Sequence, residues 1–310
     1  MGLSFVGTKE QVLPEQILPV EQLGANWVSL MPYGYLSSAQ DSILAYDTDW
    51  QWIGEKTEGL NATIPLFKAR RIKIMLKPQI WISRGVYTGK INPTSPHSWE
   101  VFKASYREFI LHFAQLAAQH DIPLYCIGTE LPSVVKREEK FWRELILELR
   151  SIYKGELVYA ENWDQYDAVP FWDALDYIGL NAYFPLKGET PLTLEHIQQR
   201  WAKTSNRIGQ VSKEFNRPVL FTEMGYRSID DPLRRPWDYR DKAQNYNPKM
   251  QAMALEALLK EFMPQPWWQG GFVWKWFPNH PNAGGENHTG FTPQNKLAEE
   301  VLRSYFTNRK

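Results

Sequence analysis

The sequence predicts an α/β protein that forms a single (β/α)8 TIM barrel. Short apolar runs alternate with longer amphipathic segments, a pattern typical of parallel strands joined by crossover helices. Eight such units are the number that closes a barrel. The alternative is a doubly wound open sheet, which usually has fewer strands and often carries a glycine-rich phosphate loop. No G-x-G-x-x-G or G-K-[ST] motif occurs in this chain.

The predicted strands are eight apolar runs spread over the chain. They lie at residues 2–7, 25–32, 72–81, 123–130, 156–163, 175–184, 218–226 and 270–277. In a barrel of this kind the carboxyl ends of all strands open on one face, where functional residues gather. We therefore expect the polar and aromatic side chains that end these runs to lie close together.

Amphipathic segments between the runs predict the helices. Segment 98–120 places large apolar side chains on one face at spacings of three and four residues: Phe102, Tyr106, Phe109, Phe113 and Leu116. Further helices are predicted at 137–153, 192–215, 247–262 and 294–306, with weaker patterns at 9–23 and 49–70 and a short element near 164–173. No linker interrupts the pattern, so we expect residues 1–310 to form one domain.

The charge balance argues against partners that select basic surfaces. Among the 310 residues, 35 Lys+Arg offset 35 Asp+Glu, and the formal net charge is +0. Neither nucleic acid nor an anionic membrane is therefore expected as the main partner. As a separate expectation, the protein is a monomer. No apolar run approaches the ~18 residues that a membrane helix needs. The one cysteine, Cys126, excludes an intrachain disulfide and is predicted to be a core thiol.

The chain opens on "MGLSFVG", which predicts a first strand rather than a leader peptide. The protein is therefore expected in the cytoplasm, or outside the cell after removal of a leader. The sequence leaves both locations open.

Two glutamates end apolar runs that are predicted to be buried strands. Glu130 closes the run "YCIGTEL", and Glu223 closes "LFTEMGY". A buried unpaired carboxylate is costly, so each needs a partner or a task. In a closed barrel these two strands face each other across the mouth, and two carboxyls facing one pocket are the minimal machinery for cleaving a glycosidic bond. The alternative is that each carboxylate caps the helix that follows it.

Five motifs, in this order along the chain, resemble glycoside hydrolase family 113 of clan A. They are "IMLKP" (74–78), "IGTEL" (127–131), "GLNAYFP" (179–185), "FTEMGY" (221–226) and "VWKWFP" (273–278). A glutamate at the end of strand four and another at the end of strand seven are the hallmark of this clan. The resemblance covers almost the whole chain. It implies a retaining endo-β-1,4-mannanase that acts on mannan, glucomannan or manno-oligosaccharides.

The resemblance implies that Glu130 is the acid/base and that Glu223 is the nucleophile. Retention implies that the two carboxyl groups lie roughly 5–5.5 Å apart, without space for a water between them. Many clan A enzymes have Asn directly before the acid/base, where it holds the sugar 2-hydroxyl, whereas this chain has Thr129. Asn162 or Asn181 is expected to supply that contact. No metal and no cofactor is implied.

Aromatic residues at the ends of strands six and eight are expected to complete the site. By the resemblance, Tyr183 hydrogen-bonds the nucleophile, and a phenol that donates to a carboxylate favours its charged form. Trp274 and Trp276 lie on one side of an extended segment. At least one of them is expected to stack on sugar, and Trp276 is preferred because it lies nearer the mouth. Packing in the barrel is the alternative for these residues.

Three more residues are candidates for substrate binding. Lys77 is expected either to donate to a sugar hydroxyl or to pair with a glutamate such as Glu130 or Glu161. Trp81 and Trp163 are expected to floor outer subsites, because the apolar faces of sugars stack on indole rings. Ordinary packing is the alternative for both tryptophans.

Two long loops, at 227–248 and 278–293, are expected to overhang the site. Trp237 and Tyr239 in the first loop are predicted walls for the substrate. The second loop contains histidines, but no carboxylate pattern supports a defined metal site there.

Other functions are open at this stage. The same pair of glutamates would serve another β-glycan, such as xylan or a glucan, because clan A enzymes vary their substrates through their loops. A barrel that binds glycans without cleaving them would be free to lose one glutamate, and both are present. A metal-dependent hydrolase needs a His/Asp ligand set at the strand ends, which this sequence lacks.

Overall fold

The computed structural model describes residues 1–186, 188, 193–239 and 245–307, and its centre is a closed barrel of parallel strands. Within these ranges ten strands are numbered in chain order: β1 (Gly2–Phe5), β2 (Trp27–Leu30), β3 (Tyr33–Leu36), β4 (Lys73–Leu76), β5 (Gln79–Ile82), β6 (Leu124–Thr129), β7 (Glu156–Asn162), β8 (Tyr177–Asn181), β9 (Val219–Met224) and β10 (Trp268–Trp276). Eight of them form the barrel in the order β1, β2, β4, β6, β7, β8, β9 and β10, and β10 pairs with β1 to close it. The predicted (β/α)8 fold class is confirmed.

The helices follow the strands along the chain as predicted. In the described ranges they are α1 (Leu18–Gln22), α2 (Thr57–Ala69), α3 (Pro96–Gln119), α4 (Pro132–Arg137), α5 (Glu139–Ile152), α6 (Leu194–Phe215), α7 (Pro248–Phe262) and α8 (Leu297–Thr307). Helix α3 begins at a capped turn, where Ser95 Oγ accepts the Ser98 N–H and Pro96 occupies the first helical position. None of these helices is long and apolar enough to cross a membrane.

Three predicted helical segments differ from the observed elements. Segment 137–153 begins one residue before a break at Glu138, whose backbone (φ −126°, ψ 46°) is not helical, so its first residue belongs to α4 and not to α5. Segment 164–173 contains only two short 3-10 turns, and segment 9–23 contains one 3-10 turn and the short helix α1. The predicted helix start at residue 192 and residues 240–244 of the loop 227–248 lie outside the described residues.

A proline lies at the end of the predicted run 25–32 and another lies inside the predicted run 72–81. Pro32 separates β2 from β3, and Pro78 separates β4 from β5. Proline has no N–H and cannot donate to a strand ladder, so the barrel pairing stops at each of these positions. The run 25–32 therefore contains one barrel strand, β2, whereas the run 72–81 contains β4 and, beyond Pro78, residues of β5, which lies outside the barrel.

The segments beyond the prolines, β3 and β5, form a small parallel sheet of their own. Tyr33 lies opposite Gln79, and Tyr35 lies opposite Trp81. These four side chains are more exposed than the alternate residues of both strands, which are buried: Gly34, Leu36, Ile80 and Ile82. Because side chains alternate between the two faces of a strand, the small sheet has one core face and one open aromatic face.

Side chains of the barrel strands alternate between the barrel interior and the helix layer. The interior cluster consists of Met75, Leu124, Cys126, Val158, Ala160, Leu220 and Phe272. On β7, Tyr159 has the opposite orientation and packs on Trp142 of α5, with ring centroids 5.2 Å apart. Lys77 and Asn162 follow interior residues at a spacing of two, so alternation directs both side chains towards the mouth of the barrel.

Two leucines of α5 provide a matched test of this packing. Leu149 is fully buried, whereas Leu147 is 72% exposed. We expect Leu149→Ala to lower the free energy of unfolding by about 2–5 kcal/mol, because it leaves a cavity between α5 and the barrel. Leu147→Ala is expected to change it by less than about 0.5 kcal/mol. Urea unfolding of both variants measures the difference, and equal effects would contradict the placement of α5.

Candidate active site

The mouth of the barrel brings the two predicted glutamates to one pocket. Glu130 follows directly after β6, and Glu223 lies in β9. β7 and β8 lie between these two strands around the barrel. Glu223 is 6% exposed, and Glu130 is half-buried.

Glu223 accepts three hydrogen bonds from side chains. Lys77 Nζ donates to Oε1 at 2.5 Å, Gln79 Nε2 donates to the same oxygen at 3.2 Å, and the Tyr183 hydroxyl donates to Oε2 at 2.9 Å. Lys77 is fully buried, so it forms a buried ion pair with Glu223. Lys77 therefore does pair with a glutamate, but its partner is Glu223 and neither Glu130 nor Glu161, because alternation along a strand does not show which strand end lies opposite.

A register shift in β9 turns Glu223 into the mouth. Leu180 pairs with Phe221, but the next residue of β8, Asn181, pairs with Glu223, so Thr222 is the extra residue of a bulge. Thr222 Oγ1 donates to Asn181 Oδ1 at 2.9 Å. Two consecutive side chains of β9 therefore reach the mouth, which strict alternation does not allow.

Glu130 has a less charged environment than Glu223. Asn181 Nδ2 donates to Glu130 Oε1 at 2.8 Å, and among the described residues Glu130 has no ion-pair partner. Burial and the neighbouring Glu223 carboxylate raise the pKa of Glu130 to about 7, against the lowering effects of Asn181 and Lys77. The carboxyl is therefore able to hold a proton near neutral pH.

Asn181 connects the two carboxyl groups. Its Nδ2 donates to Glu130, and its Oδ1 accepts from Lys77 Nζ at 3.3 Å. Lys77 in turn donates to Glu223. A chain of side chains thus runs from one glutamate to the other, and Asn181, which is 1% exposed, is fixed at its centre. Asn162, the other candidate amide, accepts the Trp163 N–H on its Oδ1 at 3.0 Å.

Glu161 does not face the mouth. It alternates with Asn162 on β7 and is fully buried on the same side as Tyr159, whose hydroxyl donates to Glu161 Oε2 at 3.0 Å. Burial raises the pKa of Glu161 to about 8. This carboxyl lies behind the barrel wall and not beside Lys77.

The open face of the small β3–β5 sheet extends the mouth from Glu223 outwards. Gln79 contacts Glu223 and accepts the Tyr33 hydroxyl on its Oε1 at 3.1 Å. The next pair outwards is Tyr35 with Trp81, and Trp81 is 47% exposed. The exposed Trp50 packs edge-on against Tyr35, with ring centroids 4.7 Å apart, and enlarges this aromatic surface.

A second aromatic wall is formed by Trp163 and Trp237. Trp163 follows β7, and its ring stacks on that of Trp237 from the loop after β9, at 5.0 Å between centroids and an angle of 21°. Trp237 and Tyr239 are both exposed. Both residues are thus at the surface, and Trp163 packs against Trp237; their role as walls for the substrate stays a prediction.

Trp274 and Trp276 have different environments. Trp276 is fully buried in the core, and its ring centroid lies 5.3 Å from that of His280. This burial corrects the preference for Trp276 as the sugar-facing residue, because the indole has no surface that a ligand reaches. Trp274 is half-buried, with Lys275 Nζ 5.4 Å from its ring centroid. Trp274 is therefore the member of the pair that is available to a ligand.

Sequence reasoning left four residues of this site without a role. Gln79 and Tyr33 sit beyond prolines, and their contact with each other exists only because β3 pairs with β5. Thr222 lies two residues after the interior Leu220, so alternation directs it towards the mouth, but no sequence pattern indicates its bond to Asn181. Thr88 Oγ1 donates to the Glu130 carbonyl at 2.9 Å, and the path of its loop has no sequence signal.

The histidines of the last loop have protein partners. His280 Nε2 lies 3.0 Å from Glu299 Oε2, and His288 Nδ1 lies 3.3 Å from Lys296 Nζ. Across the described ranges, no group of three or more His, Cys, Asp or Glu side chains is arranged to hold a metal ion.

Comparisons with solved structures show similar barrels over the whole chain. A structure described as a complex of a family 113 β-1,4-mannanase has a TM-score of 0.85 at 23% identity and covers 99% of this chain and 98% of that one. The family 113 β-mannanase AaManA from Alicyclobacillus acidocaldarius, in complex with ManMIm, has a TM-score of 0.84 at 26% identity, with 99% and 96% covered. A β-glucuronidase from Ruminococcus gnavus has a TM-score of 0.63 at 15% identity; 95% of this chain and 46% of that chain are covered.

Comparisons at the level of sequence give two results. A search of curated proteins finds no match. The model of the family described as Glycoside Hydrolase Family 113 matches residues 9–296, which is nearly the full chain. The chain therefore belongs to glycoside hydrolase family 113 and is a glycoside hydrolase.

Proposed function

We propose that this glycoside hydrolase is a retaining endo-β-1,4-mannanase, with Glu223 as the nucleophile and Glu130 as the acid/base. The observation that carries the proposal is the contrast between the two carboxyl environments in one pocket. Glu223 is paired with a buried lysine and accepts a phenol, whereas Glu130 has only an amide as its side-chain donor. Environments that separate the ionisation of two carboxyls identify the acid and the nucleophile.

The nucleophile has to be ionised, and the contacts of Glu223 favour the charged form. Lys77 supplies a positive charge at 2.5 Å, and Tyr183 and Gln79 add hydrogen bonds. Burial and the Glu223 charge raise the pKa of Tyr183 well above its ordinary value, so the phenol remains a donor. The three contacts also hold the carboxylate in one orientation for attack.

The reaction follows from these two states. Glu130 gives its proton to the glycosidic oxygen while a Glu223 oxygen bonds to the anomeric carbon, and the bond between that carbon and the leaving oxygen breaks. Water then attacks the same carbon, Glu130 takes a proton from the water, and the ester bond to Glu223 breaks. Two displacements at one carbon restore the starting configuration. The product is a reducing sugar of the same anomeric form as the substrate.

The substrate class rests on the family and on the aromatic surfaces. The two family 113 structures described above are named β-1,4-mannanase and β-mannanase, which supports mannan, glucomannan or manno-oligosaccharides as substrates. The open face of the small sheet begins at Glu223, which bonds to the glycone sugar, so Trp81 is assigned to a glycone subsite further out. Xylan or a glucan is the alternative substrate, since the glutamate pair serves any β-glycan. We further propose that the chain acts as one catalytic domain and as a monomer.

Product release from β-1,4-mannohexaose, xylohexaose and cellohexaose tests the proposal. We expect cleavage of mannohexaose with β-configured products in the first proton NMR spectra. Glu223→Gln is expected to reduce the rate by on the order of 10⁴-fold or more, because the attacking group is lost. Cleavage of a different hexaose would keep the mechanism and contradict the substrate, whereas cleavage of none of the three would contradict the proposed activity.

The pH dependence of kcat/KM is expected to show the ionisation of Glu130. The acid acts only when protonated, and its pKa is raised to about 7, so kcat/KM should fall as the pH rises through about 7. A 2,4-dinitrophenyl glycoside needs no proton on its leaving group and should lack this fall. A fall that sets in near pH 4–5 on the oligosaccharide would contradict the assigned environment of Glu130.

Replacement of Trp81 tests the glycone subsite. Trp81→Ala is expected to raise the KM for mannohexaose by about tenfold with little change in kcat, because a stacking contact is lost in ground state and transition state equally. Trp81→Phe keeps an aromatic face and should recover most of the loss. Mannobiose derivatives too short to reach Trp81 should respond little to either change. An unchanged KM for mannohexaose in Trp81→Ala would remove this residue from the binding surface.

A further inference from the structure

The backbone of Glu130 has an unusual conformation. Its φ is +52°, in the left-handed region that residues other than glycine seldom adopt. Such a conformation persists only where the surrounding structure determines it, and it frequently marks a functional position. The contacts around Glu130 must therefore hold its backbone in this conformation.

Three hydrogen bonds hold the backbone on both sides of Glu130. The Glu130 N–H donates to the Ala160 carbonyl of β7 at 2.8 Å. The peptide unit that follows is held at both edges by side chains: Thr88 Oγ1 donates to the Glu130 carbonyl at 2.9 Å, and the Leu131 N–H donates to the Tyr159 hydroxyl at 2.8 Å. The hydroxyl of Tyr159 thus sets the orientation of the peptide next to Glu130.

Tyr159 is itself fixed from behind. It is fully buried, and its ring packs on Trp142 at 5.2 Å and on Phe171 at 5.6 Å between centroids. Its hydroxyl donates to Glu161 Oε2 at 3.0 Å, and Glu161 Oε1 accepts the Asn162 N–H at 2.8 Å. Both oxygens of Glu161 are therefore engaged, and its buried carboxyl orients the Tyr159 hydroxyl.

We propose that Tyr159 and Glu161 are positioning residues that aim the Glu130 carboxyl at the glycosidic oxygen. Both lie on the helix-facing side of β7, behind the wall of the mouth, so neither touches the substrate. They act through the Leu131 N–H, which donates to the Tyr159 hydroxyl. That hydroxyl in turn donates to Glu161. This inference rests on the proposed function, because it assigns the task to the acid/base of a glycoside hydrolase.

The role predicts a loss that depends on the leaving group. An oligosaccharide leaves as a sugar alkoxide and needs the proton of Glu130, whereas 2,4-dinitrophenolate leaves without one. The parameter kcat/KM reports the first displacement for both substrates. A misaimed acid therefore slows the oligosaccharide and spares the dinitrophenyl glycoside, while general damage to the site slows both.

The experiment compares Tyr159→Phe with the wild-type enzyme on these two substrates, made from whichever β-1,4-glycan the wild type cleaves. We expect kcat/KM for the oligosaccharide to fall by about tenfold or more, and that for the dinitrophenyl glycoside to stay within about twofold. Glu161→Leu should act in the same direction, because it removes the oxygen that accepts the Tyr159 hydroxyl.

Tyr153→Phe is the matched control. Its hydroxyl is also buried and donates to a backbone carbonyl, that of Ile122 at 2.7 Å. Tyr153 precedes β7 and Ile122 precedes β6, so this bond lies at the ends of these strands opposite the mouth. This variant loses a comparable hydrogen bond and should leave the ratio of the two rates unchanged. Equal losses on both substrates in Tyr159→Phe, or no loss on either, would overturn the inference. A wild type that prefers another glycan would contradict only the mannan assignment.

Discussion

The buried ion pair between Lys77 and Glu223 is the interaction on which the mouth of this barrel depends. Two charges removed from water are tolerated only when their geometry is good and their remaining hydrogen-bonding groups are satisfied. Glu223 meets this condition through Tyr183, and Lys77 meets it through Asn181. Loss of either partner leaves an uncompensated buried charge, so the positions of these side chains are strongly coupled.

The same pair organises the second carboxyl group. The side-chain oxygen of Asn181 accepts from Lys77, so Asn181 presents its amide nitrogen to Glu130. Burial and the Glu223 carboxylate raise the pKa of Glu130. Glu223 thus has a cation bonded to it, whereas the side-chain donor of Glu130 is an amide. The different surroundings of two chemically identical groups follow from which strand end each one occupies.

Side chains in the layer behind the barrel wall also help to fix the backbone at the mouth. On β7 the alternation of side chains sends Asn162 to the mouth and Tyr159 and Glu161 to the helix layer. There the Tyr159 hydroxyl accepts the Leu131 N–H of the turn after Glu130 and donates to Glu161. The left-handed backbone at that turn is held by contacts from two separate parts of the chain: β7, through Ala160 and Tyr159, and the loop that contains Thr88. A buried polar network is costly unless each of its groups has a hydrogen-bond partner. Here the Leu131 N–H donates to Tyr159, Tyr159 donates to Glu161, and Glu161 also accepts the Asn162 N–H.

The sequence by itself determined the barrel, the eight strand regions and the two glutamates that end the fourth and seventh of them. It did so because the spacing of apolar residues is a local property that can be read directly from the sequence. It also indicated Tyr183 and Trp81 as neighbours of the mouth, since both follow strands. Tertiary structure decided the rest. Lys77 pairs with Glu223 because barrel closure places the ends of their strands opposite each other at the mouth. Trp276 is buried in the core, where its ring lies beside that of His280 from the last loop. The bulge at Thr222 and the pairing of β3 with β5 depend on hydrogen bonds between segments far apart in the chain, and no local pattern encodes such register.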